Sequence, residues 1–205
     1  MTSDILKIDG LTPHQVLTLS RVRGFKQYLN MLERYQNGVC VFCDPLGPKN
    51  RVIHEVAGWR MWENPFPSPG SELHLVLAPV RHISTESLPS ARDFIAVGEL
   101  FEWAKLEYGK KRLIGGGILM RFGSPEYNAG TVLHLHVNII IPDLKSELRL
   151  PLVKDPGSTL RGYKRLAVFE KLRIGIHLTN LSSEERLLLE EDLDELQREL
   201  EKLTM

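Results

Sequence analysis

One short segment constrains this chain more than any other: residues 134–142, with the sequence HLHVNIIIP, which follow the residues GTVL. In a β-strand successive side chains point to opposite faces, so His134, His136 and Asn138 share one face and the intervening apolar residues share the other. An apolar run that ends at a proline is typical of a largely buried strand, where polar side chains need partners. Two imidazoles and an amide in one row therefore indicate a site.

The composition is that of an ordinary globular protein, with 205 residues of which 42% are apolar and 25% charged. This length allows one sizeable domain with additions, or two small domains. The formal net charge is zero, so the chain has no electrostatic signature of nucleic-acid binding. No apolar stretch reaches the ~20 residues of a membrane span, and the first residues lack the pattern of a signal peptide. We expect a cytoplasmic protein that binds neither nucleic acid nor membranes.

Elsewhere, strand-like and helix-like segments alternate, which predicts an α+β fold. Apolar residues at helical spacing predict an N-terminal helix over residues 12–36, with a proline in its first turn. A second helix is predicted from Pro89 to about Tyr108, with Gly109 past its end. Apolar runs between turn residues predict strands at 51–56, 59–62, 73–78 and 117–122. We divide the chain into a helical extension (1–38), a catalytic domain (39–142) and a C-terminal extension (143–205).

The C-terminal extension is predicted to be polar and turn-rich as far as Tyr163. A last helix begins at Ser182, where Ser182 and Glu185 form a capping box. Its leucines follow at spacings of four and three, at positions 189, 193, 196, 200 and 203. This leucine seam fits either packing against the rest of the chain or a helix pair in a dimer, and the sequence leaves both open.

The only cysteines, Cys40 and Cys43, are separated by two residues. In a chain expected to be cytoplasmic, such a pair indicates a metal site or a redox element more than a structural disulfide. The spacing alone is a weak signal, because a closed zinc site needs four ligands. A redox function would leave two histidines unexplained, His82 in the loop after an apolar strand and His134.

The histidine row and its setting resemble the histidine triad (HIT) superfamily of nucleotidyl hydrolases and transferases, whose signature is His-φ-His-φ-His-φ-φ, where φ is apolar. Here Asn138 takes the third place. The branch of galactose-1-phosphate uridylyltransferases and diadenosine polyphosphate phosphorylases also departs there, since it carries Gln. The loop from Pro79 to Ile83 resembles the family's Ile-Pro-Lys-x-His-Ile. The resemblance covers about Cys40 to Pro142 and implies a HIT-like antiparallel sheet with a main helix, to which N-terminal and C-terminal helices are added.

The resemblance also implies a zinc site. In zinc-bearing members a C-x-x-C pair, the histidine of this loop and the first histidine of the row bind the ion together, and the matching residues here are Cys40, Cys43, His82 and His134. Two thiolates and two imidazoles form a closed tetrahedral set, which suits a structural zinc. His134 is then a ligand, and His136 is the reactive histidine.

For the chemistry, the resemblance implies that His136 attacks an α-phosphorus and forms a nucleotidyl-histidine intermediate. Thr131 matches a position from which family members donate to the phosphate or leaving group, and Asn138 is expected to donate its amide to a phosphoryl oxygen. Gly130 stands where hydrolase members often carry Gln. Asn128 is expected to reach the space of an Asn that those members carry on the preceding strand.

The resemblance further implies a ribose-binding residue before a proline-rich loop, where Glu63 and Asn64 are the candidates. The leading function is a nucleotidyltransferase or nucleotide phosphorylase that acts on a nucleotide or nucleotide sugar. The alternatives are a hydrolase of dinucleoside polyphosphates or nucleoside phosphoramidates, and a nucleotide-binding protein with little or no turnover. The resemblance also implies a homodimer in which the domains pair edge to edge through strands.

Overall fold

The structure is a computed structural model and describes residues 8, 10–43, 51–124, 127–128, 130–150, 152, 156–189 and 196. By its internal packing the chain divides into two units. One unit consists of Met1–Gly38 together with Lys154–Met205, and its described elements are helical. The other, Val39–Val153, contains the β-sheet and the candidate site residues.

The helices of the described part are α1 (Pro13–Leu19), α2 (Phe25–Gln36), α3 (Ala91–Arg112), α4 (Pro156–Arg173) and α5 (Ser183–Leu187). The strands are β1 (His54–Val56), β2 (Trp59–Glu63), β3 (Ser71–Pro79), β4 (Gly117–Arg121) and β5 (His136–Pro142). Neighbouring strands are antiparallel, and their order in the sheet is β1-β2-β3-β5-β4. The predicted α+β fold, with an antiparallel sheet and one long helix, is confirmed.

One face of the sheet packs against α3. The alternate residues Leu135, Val137 and Ile139 lie in a buried apolar cluster with Leu100 and Ala104 of α3. Fully burying one large apolar side chain stabilises the fold by about 1.5–3 kcal/mol, so this face fixes which side chains of β5 point inward. The residues between them, His136 and Asn138, therefore lie on the opposite face of the sheet.

That opposite face carries a second, smaller buried cluster. It consists of Trp62 from β2 and Val76 and Ala78 from β3, with Phe42 packed against them. Val76 is the direct cross-strand partner of Asn138, so the cluster and the polar row are on the same side. The row of imidazoles and amide is thus bordered by apolar side chains.

A tight turn joins β1 to β2. Its two central residues, Ala57 and Gly58, both have positive φ values, 50° and 75°. Two left-handed residues in a two-residue hairpin loop are the mark of a type I′ turn. Gly58 adopts this conformation without steric cost, whereas the Cβ of Ala57 makes it unfavourable.

The helical unit differs from its prediction in two places. The continuous helix expected over residues 12–36 is interrupted, because Gly24 is extended (φ −146°, ψ 168°) and caps the start of α2. At the end of α1, the Ser20 hydroxyl donates to the Leu17 carbonyl at 2.7 Å, which competes with continuation of the helix. The turn-rich stretch expected up to Tyr163 instead holds the first half of α4. That helix begins at Pro156, a favoured residue for a first turn.

Aromatic packing holds this unit together. Phe25 and Tyr28 of α2 each lie 5.5 Å from the ring of Phe169 on α4, measured between centroids. The Tyr28 hydroxyl also donates to the carboxylate of Glu170. Burial is the main cause that raises the pKa of Tyr28 far above its ordinary value, and Glu170 adds to it, so the phenol stays a donor.

The capping box predicted at Ser182 and Glu185 is present at the start of α5. Within the leucine seam, Leu189 and Leu196 are buried. Positions 193, 200 and 203 lie outside the described residues, so the choice between packing and dimerisation stays open. Among the described helices, none has the length and apolarity needed to cross a bilayer.

Candidate active site and metal centre

Four predicted metal ligands meet at one end of the sheet. The ligand atoms of Cys40, Cys43, His82 and His134 all lie within 4.8 Å of one another. The Sγ atoms of Cys40 and Cys43 are each 3.5 Å from Nδ1 of His134, and Sγ of Cys43 is 3.2 Å from Nδ1 of His82. Zinc bonds of ~2.3 Å to sulfur and ~2.0–2.1 Å to nitrogen, at tetrahedral angles, place S and N about 3.6 Å apart. The four residues therefore fit a structural zinc, as predicted.

The protonation chemistry of these residues agrees with this fit. Burial, followed by the neighbouring His82 and His136, lowers the pKa of His134 to about 4, so its ring is neutral, as a ligand must be. Burial and the adjacent Cys40 raise the pKa of the Cys43 thiol to about 11. Two adjacent thiolates are thus unfavourable without a compensating cation, which is what a zinc ion supplies.

Backbone hydrogen bonds bring the ligands together from distant parts of the chain. The Leu135 amide donates to the Ile83 carbonyl at 2.7 Å, and the Thr85 amide donates to the Leu133 carbonyl at 3.3 Å. These bonds hold the loop after β3 beside the approach to β5, so the rings of His82 and His134 lie 4.7 Å apart. The two cysteines occupy a turn closed by the Cys43 amide, which donates to the Cys40 carbonyl at 3.1 Å.

His136 is buried with one ring nitrogen already engaged. Its Nδ1 lies 2.7 Å from the backbone carbonyl oxygen of His134, an atom that can only accept. Nδ1 therefore carries the hydrogen, and Nε2 carries the lone pair. Burial is the main cause that lowers the pKa of His136 to about 4, and Arg121 adds to it. Near neutral pH the ring is an uncharged base whose Nε2 is available as a nucleophile.

The amide of Asn138 is oriented by a hydrogen-bond chain that the sequence analysis did not predict. The Ser68 amide donates to Nδ1 of His74 at 3.0 Å, so Nε2 of His74 carries the hydrogen. This Nε2 lies 2.9 Å from Oδ1 of Asn138 and donates to it. The Nδ2 group of Asn138 then faces the other way, buried and without a hydrogen-bond partner among the described residues.

His74 is the clearest residue of the candidate site that the sequence prediction did not include. A signal existed, because His74, Val76 and Ala78 alternate along an apolar strand and so share a face. Knowing that this face meets Asn138 requires the pairing of β3 with β5, in which Val76 opposes Asn138. Local spacing does not contain that pairing.

The two candidates for the ribose site are separated by the structure. Asn64 lies beside the His74 ring, with its Nδ2 3.2 Å from Nε2, and its Oδ1 accepts from the Phe66 amide at 2.9 Å. Glu63 accepts a hydrogen bond from the Tyr108 hydroxyl at 2.9 Å and pairs with Arg112 of α3 at 3.5 Å. Successive strand residues point to opposite faces, so Glu63 lies on the α3 side while Asn64 lies with the polar row.

Asn128 organises the loop between β4 and β5. Its Nδ2 donates to the carbonyls of Gly123 and Ser124 at 3.1 and 3.2 Å, and its Oδ1 accepts from the Gly130 amide at 3.1 Å. A Cβ on Gly130 would lie 2.9 Å from this Oδ1, so the loop leaves no room for a side chain. A side chain at position 130 would therefore displace the Asn128 amide that organises this loop. Thr131 follows directly and is half-buried.

Two further residues that we had not predicted border His136. The Phe42 ring, from between the two cysteines, meets the His136 ring edge-on with centroids 5.0 Å apart. Arg121, the last residue of β4, is the direct cross-strand partner of His136. Direct partners in an antiparallel pair share a face, so a guanidinium stands on the same side as the nucleophile candidate.

Comparisons with known proteins gave structural similarity alone. No protein-family model matches the chain, and no curated protein matches it. A histidine triad nucleotide-binding protein from Candida albicans is 16% identical with a TM-score of 0.40, over 66% of this chain and 95% of that one. A zinc-bound histidine triad family protein from Mycobacterium smegmatis is 18% identical with a TM-score of 0.41, over 66% and 96%.

A hypothetical histidine triad nucleotide-binding protein from Sulfolobus tokodaii is 17% identical with a TM-score of 0.34, over 68% of this chain and 98% of that one. Identities and scores of this size do not transfer a function.

Proposed function

We propose that this chain is a nucleotidyltransferase or nucleotide phosphorylase that works through a nucleotidyl-His136 intermediate. The observation that carries the proposal is the state of the His136 ring. Its Nδ1 hydrogen is held by the His134 carbonyl, and its pKa is lowered to about 4, so Nε2 presents a lone pair near neutral pH. A fixed, neutral imidazole of this kind is a competent nucleophile toward phosphorus.

In the first step, Nε2 of His136 attacks the α-phosphorus of the substrate. A P–N bond forms, the P–O bond to the leaving group breaks, and its electron pair departs on the oxygen of a polyphosphate or sugar phosphate. In the second step, an oxygen of inorganic phosphate or a sugar phosphate attacks the same phosphorus, and the electron pair of the P–N bond returns to Nε2. In both steps the hydrogen stays on Nδ1, which donates it to the carbonyl oxygen of His134.

Neighbouring groups supply donors for the charge on the phosphoryl oxygens. The buried Nδ2 group of Asn138 has no partner among the described residues and carries two hydrogens for a nonbridging oxygen. Its orientation is set by His74. We assign Thr131 as a second donor because it lies at the turn that leads into the histidine strand. Asn64 is the ribose candidate that lies with this row.

The metal site supports the strand and takes no part in the two steps. A zinc ion would be held by four side chains, those of Cys40, Cys43, His82 and His134. It would tie the start of the domain, through the cysteines, and the loop after β3, through His82, to His134, which lies two residues before the nucleophile His136. A cross-link of this kind fixes the position of β5 and of the His134 carbonyl that orients His136.

The same site favours transfer over hydrolysis. Asn138 can hold a phosphoryl oxygen, but an amide cannot act as an acid or base toward water or toward an amine leaving group. For this reason we place hydrolysis of dinucleoside polyphosphates or phosphoramidates second. Binding of a nucleotide with little turnover is the outcome that would replace both enzymatic proposals.

We also propose a homodimer formed through β4. This strand is at the edge of the sheet and pairs only with β5 in the described part. Its Ile118 and the following Phe122 are 53% and 54% exposed, so two large apolar side chains lie beside this edge of the sheet and could be buried by a partner strand.

A substrate screen tests the proposed function. Adenosine, uridine and guanosine polyphosphates and nucleotide sugars should be incubated with and without inorganic phosphate. We expect at least one nucleotide to be cleaved faster with phosphate, with a nucleoside diphosphate as product, and we expect His136→Asn to abolish the reaction. His14→Asn, which alters an exposed histidine of α1, is the matched control and should be fully active. Micromolar binding without cleavage of any nucleotide would contradict the enzymatic proposal.

A further inference from the structure

We propose that Arg121 binds the phosphate of the leaving group and makes the site selective for anionic leaving groups, namely polyphosphates and sugar phosphates. This inference rests on the proposed function and names the class of leaving group that it accepts. It adds a residue that the histidine row and the zinc ligands do not include.

The register of the sheet puts Arg121 next to the nucleophile. Arg121 pairs directly with His136 across β4 and β5, and direct partners have Cβ atoms only about 4.5–5.5 Å apart. The preceding residue, Met120, packs against the apolar cluster on the α3 side. Because side chains alternate along a strand, Arg121 points to the side of His136 and Asn138.

The Arg121 side chain extends toward Thr131, the predicted phosphate donor. Its Cδ lies 3.9 Å from the point that a Cβ on Gly130 would occupy, so the side chain passes along the turn that continues into Thr131. Its Nε is fully buried while the residue as a whole is half-buried, so the charge is partly removed from water.

The chemistry of a guanidinium suits this task. Arginine stays charged at any pH of interest, and its planar fork of donors matches the oxygens of a phosphate. When the P–O bond breaks, the departing oxygen gains negative charge, and a nearby cation stabilises that charge.

Asn138 points to the same class of substrate for an independent reason. An amine leaving group needs a proton as it departs, whereas a phosphate oxygen can leave as an anion. The amide of Asn138 supplies no proton. The site thus offers a positive charge and no acid, a combination that favours anionic leaving groups over amines.

The catalytic test compares two substrates of the same nucleoside, a dinucleoside polyphosphate and the p-nitrophenyl ester of the nucleoside monophosphate. The ester needs no acid and has no phosphate in its leaving group, and p-nitrophenolate spreads the charge of its departing oxygen over the nitrophenyl ring, so its departure depends little on a nearby cation. In Arg121→Gln we expect kcat/KM to fall about 100-fold for the polyphosphate, typical for loss of one charge-stabilising donor, and less than about threefold for the ester. Arg121→Lys should recover part of the loss. Arg149→Gln, which removes an exposed arginine paired with Glu147, is the matched control.

Equal losses for both substrates, or no loss for either, would overturn the assignment to the leaving group. A binding measurement separates this result from failure of the proposed chemistry. Inorganic pyrophosphate alone should bind the wild-type chain and compete with the polyphosphate, and Arg121→Gln should weaken that binding at least tenfold at unchanged zinc content. Pyrophosphate binding that is absent from the wild type, or unchanged in the variant, would refute the role of Arg121 even if a nucleotidyl-His136 intermediate forms.

Discussion

Replacement of Cys43 by serine is expected to remove the zinc ion and to lower the melting temperature of the sheet unit by roughly 10 °C. The sulfur of Cys43 is within 3.2 and 3.5 Å of both imidazole ligands, so it is central to the cluster. A ligand that binds only the folded state at 100 times its Kd adds about 2.7 kcal/mol to the free energy of unfolding. For a unit the size of residues 39–153, each kcal/mol corresponds to about 4 °C.

The assay combines zinc analysis with thermal unfolding followed by near-ultraviolet circular dichroism. Wild-type protein should contain one zinc per chain and should melt at a lower temperature after treatment with a chelator. Cys43→Ser should contain no zinc and should melt at the temperature of the chelated wild type, whether or not zinc is added. His54→Asn is the control, because His54 stacks on Trp103 with centroids 4.4 Å apart and does not belong to the cluster.

Two results would refute this reasoning. A wild-type melting temperature that does not respond to the chelator would mean that the four side chains bind no stabilising ion. One zinc per chain in Cys43→Ser would mean that the ion is held elsewhere.

The remaining predictions concern the hydrogen-bond chain from His74 to Asn138, the pH dependence, the hairpin turn and the oligomer. His74→Ala should lower kcat at least tenfold in the nucleotide assay with zinc content unchanged, because Asn138 loses the donor that orients its amide. An unchanged kcat would contradict this role of His74. The pKa of His136 is lowered from 6.5 to about 4, so the reactive neutral form should persist well below pH 6.5 and be lost toward pH 4, as a pH profile of kcat/KM would show. In the unfolded chain His136 is protonated below its ordinary pKa of 6.5, whereas in the folded chain it stays neutral down to about pH 4. The free energy of unfolding should therefore also fall between pH 6.5 and 4, which urea titrations can measure. Ala57→Gly should raise the free energy of unfolding by about 0.5–1 kcal/mol, since φ is 50° at this position, and a destabilised variant in urea unfolding would contradict the turn assignment. Light scattering at micromolar concentration should give a dimer mass, and Ile118→Lys should give a monomer; a monomeric wild type would exclude the proposed β4 interface.

The histidine row could be interpreted from sequence because strand periodicity is a local property. His134, His136 and Asn138 had to share a face once residues 134–142 formed an extended segment. The structure keeps His136 and Asn138 opposite the apolar cluster, as expected. The zinc ligands were predicted for another reason, since the resemblance matched Cys40, Cys43, His82 and His134 to a known set of zinc ligands.

What escaped prediction depends on pairing between distant strands. His74 and Arg121 reach the site only because β5 lies between β3 and β4, although it follows both in the chain. Neither register can be derived from local spacing. Glu63 and Asn64 show how much depends on one residue of register, because a shift of one position along a strand moves a side chain to the other face of the sheet. Glu63 lies on the α3 face and Asn64 on the site face.

The helical unit shows a different limit. Apolar spacing continues from α1 into α2, so it predicts one helix, yet an extended Gly24 divides the two. For α4, Pro156 was available as a start signal, but the polar residues before Tyr163 outweighed it in our prediction.

The central claim is that His136 forms a covalent bond to the α-phosphorus, and trapping that bond tests it most directly. Wild-type protein should be mixed with a substrate labelled at the α-phosphorus, quenched in base within the first turnover and analysed by peptide mass spectrometry. We predict an acid-labile, base-stable nucleotidyl group on His136, which is absent from His136→Asn at unchanged zinc content. Turnover of the nucleotide without label on His136, or label that persists in His136→Asn, would contradict the account.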